Sequence, residues 1–355
     1  MKIAALVSGG VDSSVALRLL QQEGHDITAY YLKVWLEDEL DFLGECPWEE
    51  DVEFVEQVCA QANVPLHILP LQQAYRERIV SYTIDEIRKG RTPNPDVMCN
   101  NRIKFGVFYE NVGDTADLVA TGHYADRVEK DGAWHLKITP DPIKDQTYFL
   151  SHLTQEQLSR ATFPIGAYKK SRVRELAEEF QLPNMHRKDS QGLCFLGKIS
   201  FRDFIKHHMG EKPGDFREAE TGERIGTHRG FWFYTIGQRK GLGLSGGPWF
   251  VTGKDVNENI IYISRSYDDP AKKRDAFLVE DAHWIAGTPP AAENLRVKVR
   301  HGEEYYECSL TPAGGDGKWR VKLDGRDQGI APGQFAVFYQ GDLCLGCAVI
   351  SAEQE

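Results

Sequence analysis

The sequence predicts an α/β fold: a doubly wound parallel sheet with a small linking domain and a C-terminal β-barrel. Three observations predict it. Short apolar runs alternate with helically spaced segments through the first half of the 355 residues, the pattern of a parallel sheet wrapped by helices. A glycine-rich turn joins the first of these runs to the first helical segment. From about Asp275 the pattern becomes near period-2 runs cut by glycine turns, the texture of a small barrel. The expected domains are 1–199, 200–272 and 273–355.

The elements follow in order. Ile3–Val7 is a short apolar strand, and Val15, Ala16, Leu17, Leu19 and Leu20 give a helix face that stops at Gly24. Ile27–Trp35 is a second strand. Val52, Val55, Val58 and Cys59 sit at helical spacing in Glu50–Ala62. Leu66–Leu71 and Leu118–Thr121 are further strands. Ligands of such sheets lie beyond the carboxyl ends of the strands, here Ser8-Gly9-Gly10, the segment after Trp35, and Gly122-His123-Tyr124. Ser200–Gly210 reads as a helix leading into the basic, Gly-rich stretch Tyr234–Gly243. The barrel runs are Ala276–Val279, Leu295–Val299, Tyr305–Leu310, Trp319–Leu323, Gln334–Tyr339 and Leu343–Ile350.

Composition narrows the function classes. Hydrophobic residues make up 41% and charged residues 27%, ordinary for a folded chain. No apolar stretch approaches the roughly 18 residues of a membrane span. The apolar start ends at Ser8, too soon for a secretory leader. A net charge of −11 argues against a broad non-specific nucleic-acid footprint, though not against local basic patches. Lys169-Lys170 with Arg172 and Arg174, and Arg239-Lys240, are the clusters that qualify. Seven cysteines, an odd count without dense spacing, fit a reducing, cytoplasmic location.

The sharpest chemical signal is Val7-Ser8-Gly9-Gly10-Val11-Asp12-Ser13-Ser14, set between strand and helix. Glycines let backbone N–H groups approach a ligand, and the helix start adds positive partial charge. Asp12, Ser13 or Ser14 can cap that helix. The result is a phosphate cradle without the Gly-Lys-Ser/Thr ending of a Walker loop. Ser-Gly-Gly-x-Asp-Ser resembles the PP-loop of N-type ATP pyrophosphatases, and the resemblance implies an adenine nucleotide alpha hydrolase-like domain that cleaves ATP to AMP and pyrophosphate.

Adenylation chemistry needs a nucleophile, and two cysteines are candidates. Cys99 follows Thr92-Pro93-Asn94-Pro95-Asp96-Val97-Met98 and precedes a helical pattern at Ile103, Phe105 and Phe108. A helix N-terminus would favour its thiolate, and Asp96 is placed to relay a proton. The alternative is a small buried hydrophobe. Cys194 lies between Gly192 and Gly197, downstream of Arg187 and Lys188.

Further motifs are Asn94–Asn100, Thr121-Gly122-His123-Tyr124, Lys144-Asp145-Gln146-Thr147-Tyr148-Phe149-Leu150, Ser190-Gln191-Gly192-Leu193-Cys194-Phe195, Gly237–Gly243, Pro332-Gly333-Gln334 and Cys344-Leu345-Gly346. Together with the loop they resemble, in order and over nearly the whole chain, the motifs of the tRNA-specific 2-thiouridylase family. The resemblance implies ATP-dependent replacement of the wobble-uridine C2 oxygen by sulfur. Cys194 would carry a persulfide and Cys99 would be its partner, closing a disulfide. Asp96 would be the acid/base. ATP would sit on Leu6, Val7, Ser8, Gly9, Gly10, Val11, Asp12, Ser13, Leu32 and Gly122, with Mg²⁺ shielding the triphosphate. The target base falls to Asn94, Pro95 and Asp96, and tRNA contacts to His123, Lys144, Asp145, Gln146, Arg300, His301 and Gln334. A sulfur-carrier protein or cysteine desulfurase is the implied donor.

The chain departs from the family pattern at Leu32, where Met is common, and at Cys347, where Gly is usual. Cys344 and Cys347 form a C-x-x-C pattern. In an even strand they face opposite sides, so neither metal nor redox work is expected of them. Cys46, beside Pro47-Trp48, has no assigned role. Two readings rival the thiouridylase resemblance: a PP-loop ligase acting on a small carboxylate, which needs no pair of cysteines, and a non-catalytic RNA-binding protein whose barrel binds tRNA and whose PP-loop is vestigial.

Overall fold

The computed structural model describes residues 1–34, 48–189, 200–266, 274–290, 293–314 and 317–353. Among them, no helix is long and apolar enough to cross a membrane.

The first half is the expected parallel sheet. Strands β1 (Lys2–Leu6), β2 (Asp26–Lys33), β3 (Leu66–Pro70), β4 (Leu118–Ala120) and β7 (Ala161–Thr162) lie in the order β3-β2-β1-β4-β7, every neighbouring pair parallel. Ile3, Ala4 and Ala5 of central β1 are at most 3% exposed. The two alanines let the covering elements approach closely on both faces. Helix α1 (Val11–Gln22) buries Leu17 and Leu20 against the sheet, with Val55 and Cys59 of α2 (Trp48–Ala62). Its Val11, Val15 and Leu19 pack instead on Val173, Leu176 and Ala177 of α4 (Lys170–Glu179). Two apolar stripes make α1 a buried helix, which fixes the loop before it.

The carboxyl end of the last strands is tied to the barrel. A hairpin, β5 (Asp126–Lys130) and β6 (Ala133–Lys137), leaves the parallel-sheet half. It joins the barrel sheet by pairing Leu136 with Cys344. The barrel closes six antiparallel strands in the order β12-β15-β14-β13-β16-β17 and back to β12. Its members are β12 (Arg274–Trp284), β13 (Leu295–Lys298), β14 (Tyr306–Pro312), β15 (Trp319–Asp327), β16 (Phe335–Gln340) and β17 (Leu343–Ile350). The linking segment begins with α5 (Phe201–Met209). Four strands follow: β8 (Gly214–Glu218), β9 (Arg224–His228), β10 (Phe250–Asp255) and β11 (Ile260–Ser264), in the order β10-β11-β8-β9.

Strand β17 corrects one expectation. Tyr339 pairs with Cys344 but Phe338 pairs with Gly346, so Leu345 is an inserted residue, and Gly346 takes a φ of +138°. Such a bulge resets the alternation. Cys344 and Cys347 therefore enter the same apolar cluster, together with Cys99, Tyr148 and Phe335. Leu345 and Ala348 face the barrel interior. Both thiols are at most 1% exposed, and burial pushes each above its ordinary pKa. They are interface core.

Candidate active site

The loop is shaped by contacts that only glycine permits. Gly9 has φ +75°, and a Cβ there would sit 2.7 Å from the Asp51 carbonyl and 2.9 Å from Arg187 Nη1. Gly122, just past β4, faces the start of α1. A Cβ on it would sit 2.6 Å from the Ser13 nitrogen. The cradle is thus backbone against backbone. Gly10 is the N-cap residue and offers no side-chain cap, which corrects the expectation that Asp12, Ser13 or Ser14 would cap. The Ser13 and Ser14 hydroxyls instead donate to the Gly10 carbonyl, both at 3.0 Å. The Ser8 N–H donates to Ser13 Oγ at 3.2 Å. Leu6 and Leu32, near the ends of adjacent strands, are partly buried beside it.

Side chains from distant segments brace this loop. Asn184 donates to the Gly9 carbonyl at 2.8 Å and to Ser14 Oγ at 2.9 Å. Arg187 donates to the same carbonyl at 3.1 Å and pairs with Asp51. Asp12 accepts from the Tyr124 hydroxyl at 2.8 Å and from Lys170 at 2.7 and 2.9 Å. Lys170 also meets Asp189 at 2.8 Å, as does Lys144, and Arg174 completes the cluster. Lys170 and Arg174, expected to lie on a local basic patch, turn inward to these carboxylates. Only the i, i+4 spacing that puts them on one helix face hinted at convergence. Tyr124 stands in the Thr121–Tyr124 motif without an assigned role, and nothing in the sequence singles out Asn184.

The Asn94–Cys99 segment is a second built feature. Asn94 Oδ1 accepts from the Val97 N–H at 3.3 Å, and Pro95 opens α3 (Pro95–Cys99). Gln334 from the barrel fastens it. Its amide donates to the carbonyls of Thr92 at 3.3 Å and Pro93 at 3.1 Å, and its oxygen accepts from Asn94 Nδ2 at 3.3 Å. Cys99 is 3% exposed and ends α3, five residues past the cap. The helix continues through a π-helical stretch, Asn100–Val107. The expected placement at a helix N-terminus is therefore corrected, since the terminal field fades within the first turn. A π turn is itself a frequent mark of functional helices.

Cys194, with residues 190–199, and Cys46 lie outside the described residues. No disulfide is found among the described residues, so the expected Cys99–Cys194 bond has no support.

Of the remaining expected residues, Asp145 and His301 lie where the barrel meets the sheet domain. His123 is buried, 2.8 Å from Thr121 Oγ1 through Nδ1, between the rings of Phe105 and Phe163. Burial first, then Lys104, holds it well below the usual imidazole range, so it is neutral. Gln146 clamps Tyr124 both ways: its Oε1 accepts from the Tyr124 N–H at 2.9 Å, and its own N–H donates to the Tyr124 carbonyl at 2.8 Å. Asp145 is 3% exposed. It accepts from Thr147 Oγ1 at 2.7 Å and lies 3.8 Å from Lys298, which is 1% exposed. Burial raises the Asp145 carboxyl and lowers the Lys298 ammonium. His301 packs on Phe149, ring centroids 4.5 Å apart. Arg300 grips Asp327 at 3.0 and 2.6 Å. Arg300 and His301 line a surface hollow of about 260 Å³ with Glu303, Glu304 and Tyr306.

Residues 1–198 match a family described as tRNA methyl transferase HUP domain. Residues 202–265 match one described as tRNA methyl transferase PRC-barrel domain, and 274–350 one described as aminomethyltransferase beta-barrel domain. The chain is 46% identical over 359 residues to a Parabacteroides distasonis protein named tRNA-specific 2-thiouridylase MnmA, covering 99% of each. It is similar at 46% over 357 residues to tRNA-specific 2-thiouridylase MnmA 1 of Bacteroides thetaiotaomicron, covering 99% of this chain and 100% of that one. The Porphyromonas gingivalis protein of the same name as the first is 46% identical over 362 residues, 99% of each chain.

Proposed function

The chain belongs to the tRNA-specific 2-thiouridylase family, and on that premise we propose that it thiolates tRNA by adenylating the C2 oxygen of the wobble uridine and then delivering sulfur from a persulfide. The observation that carries the reading is the cradle at Gly9 and Gly122: a Cβ on Gly122 would press on the Ser13 nitrogen at the start of α1, and one on Gly9 would press on the Asp51 carbonyl across the loop. Such a cradle fits the phosphates of ATP. Leu6, Val7, Ser8, Gly10, Val11, Ser13 and Leu32 complete the nucleotide site. Asp12 is the carboxylate suited to hold Mg²⁺, which would neutralise phosphate charge.

The target base leaves its stack, at a cost of a few kcal/mol, and meets Asn94, Pro95 and Asp96. The C2 oxygen attacks the α-phosphorus and pyrophosphate leaves. The terminal sulfur of a Cys194 persulfide then adds at C2 and AMP departs with the old oxygen. Asp96 handles the proton, and the Cys99 thiolate attacks the Cys194 Sγ and breaks its bond to the transferred sulfur, so that the thiolated base leaves and a Cys99–Cys194 disulfide remains for an external thiol to reduce. Arg300 and His301 contact tRNA from the barrel, with Gln334 and Lys144. Buried Asp145 and His123 and half-buried Gln146 act from behind, holding the wall they stand in. A sulfur-carrier protein or cysteine desulfurase loads Cys194.

The test is product analysis with ATP, tRNA and a persulfide donor, a cysteine desulfurase supplied with cysteine. The reading expects AMP and pyrophosphate only when tRNA is present. It expects Cys194→Ser to bind ATP and tRNA yet transfer no sulfur. Full transfer by Cys194→Ser would overturn the sulfur route.

A further inference from the structure

A PP-loop offers N–H groups to a polyphosphate but carries no lysine of its own. The charge of the triphosphate must be met from elsewhere, and Asp12, inside the loop, makes the demand larger. Among the described residues, the Lys170 ammonium reaches Asp12 of this loop. Lys170 is the first residue of α4, and its backbone N–H is fixed by Asp141 Oδ2 at 2.9 Å. Its side chain is 15% exposed. The Nζ lies 2.7 and 2.9 Å from the two oxygens of Asp12 and 2.8 Å from Asp189. Arg174, one turn on, turns to the same Asp189. Arg172 on the same helix points away and pairs with Glu175 and Glu179.

Asp189 already has Lys144 at 2.8 Å and Arg174, so it does not depend on Lys170 for neutralisation. Asp12 is held independently by the Tyr124 hydroxyl. Lys170 can thus change partner without leaving either carboxylate unpartnered, and, unlike Lys144 and Arg174, it already touches Asp12 of the loop. Hydrogen bonds between charged groups are the strong ones, so an incoming polyphosphate competes well with Asp189 for the ammonium.

We infer that Lys170 is the phosphate-binding lysine of this site, resting between Asp12 and Asp189 and engaging the polyphosphate of ATP when the loop is filled. The inference rests on the PP-loop reading above.

Equilibrium binding of ATP and of adenosine, which shares the base and lacks phosphate, tests it on the full chain. Lys170→Met is expected to weaken ATP by about 10- to 100-fold, the worth of a charged hydrogen bond, and to leave adenosine within about 2-fold. Lys170→Arg should recover most of the ATP affinity, and Arg172→Met should match the wild type for both ligands. Lys170→Met with the wild-type preference for ATP over adenosine would overturn the inference. Equal loss of both ligands would do so too, because the lysine would then only hold the fold. Asp189→Asn gives an independent arm if Lys170→Met does not fold. Freeing the ammonium should tighten ATP several-fold, and unchanged or weaker binding counts against the proposal. A wild type that binds adenosine but no ATP would sink the PP-loop reading itself.

Discussion

Gly122→Ala is the sharpest single perturbation of the nucleotide cradle. The new Cβ would lie 2.6 Å from the Ser13 nitrogen, 2.8 Å from Ser13 Cα and 2.9 Å from the Asp12 carbonyl carbon. All three are backbone atoms, so no side chain can swing aside. Relief requires the start of α1 or the end of β4 to move by several tenths of an ångström. Overpacking of this kind costs about 1–3 kcal/mol. The same movement opens the cradle, and a misplacement of about 1 Å can cost on the order of 100-fold in rate. Gly24→Ala is the matched control. Gly24 has φ +78° and nothing within 4 Å of a built Cβ, so its cost is backbone strain of about 1–2 kcal/mol far from the loop. Both variants should unfold more easily, and only Gly122→Ala should lose ATP affinity, as read by calorimetry. Wild-type ATP affinity in a folded Gly122→Ala protein would refute the cradle.

His152 stacks on His283 with centroids 4.6 Å apart, and burial, with His283 beside it, holds its pKa down at about 4. The unfolded chain then takes up this proton from pH 6.5 downward while the folded chain does not, so stability is full above pH 6.5 and falls by about 3 kcal/mol toward pH 4. His152→Phe should flatten that part of the acid slope in urea unfolding, and an unchanged slope would reject the assignment. Gln334→Ala removes the side chain that bonds Thr92, Pro93 and Asn94. It should lower kcat for thiolation by roughly tenfold, a loss of about 1.4 kcal/mol, with the KM for ATP unmoved; a pure ATP defect would contradict it. Affinity for tRNA should fall steeply with salt despite the charge of −11, with a shallower log–log slope after charge reversal at exposed Arg239 and Lys240; a flat wild-type plot would refute phosphate contacts.

The loop and the sheet were legible because local rules coincide there: apolar Ile3–Val7, two glycines, then a helical stripe at Val15 and Leu19. The barrel was legible from its glycine turns. The strands of the linking segment were not, because a run such as Gly214–Glu218 buries only Phe216. The hairpin β5–β6 is largely polar and finds its partner in β17. Asp145 reads as a surface residue until Lys298, far along the chain, folds against it. Lys170 reads as one of a basic run until Asp12 and Asp189 converge on it. The orientation of Cys347 depended on one inserted residue, Leu345, whose register effect no local pattern announces. Pairings set by distant partners are what a single sequence hides.

The most direct test of the central claim is mass spectrometry of nucleosides from tRNA incubated with the purified protein, ATP and a persulfide donor, a cysteine desulfurase supplied with cysteine. The account predicts that the wobble uridine gains the mass of an oxygen-to-sulfur exchange at C2, that no other uridine does, and that omitting ATP prevents it. Unmodified wobble uridine in a reaction where the protein binds both ATP and tRNA would contradict it.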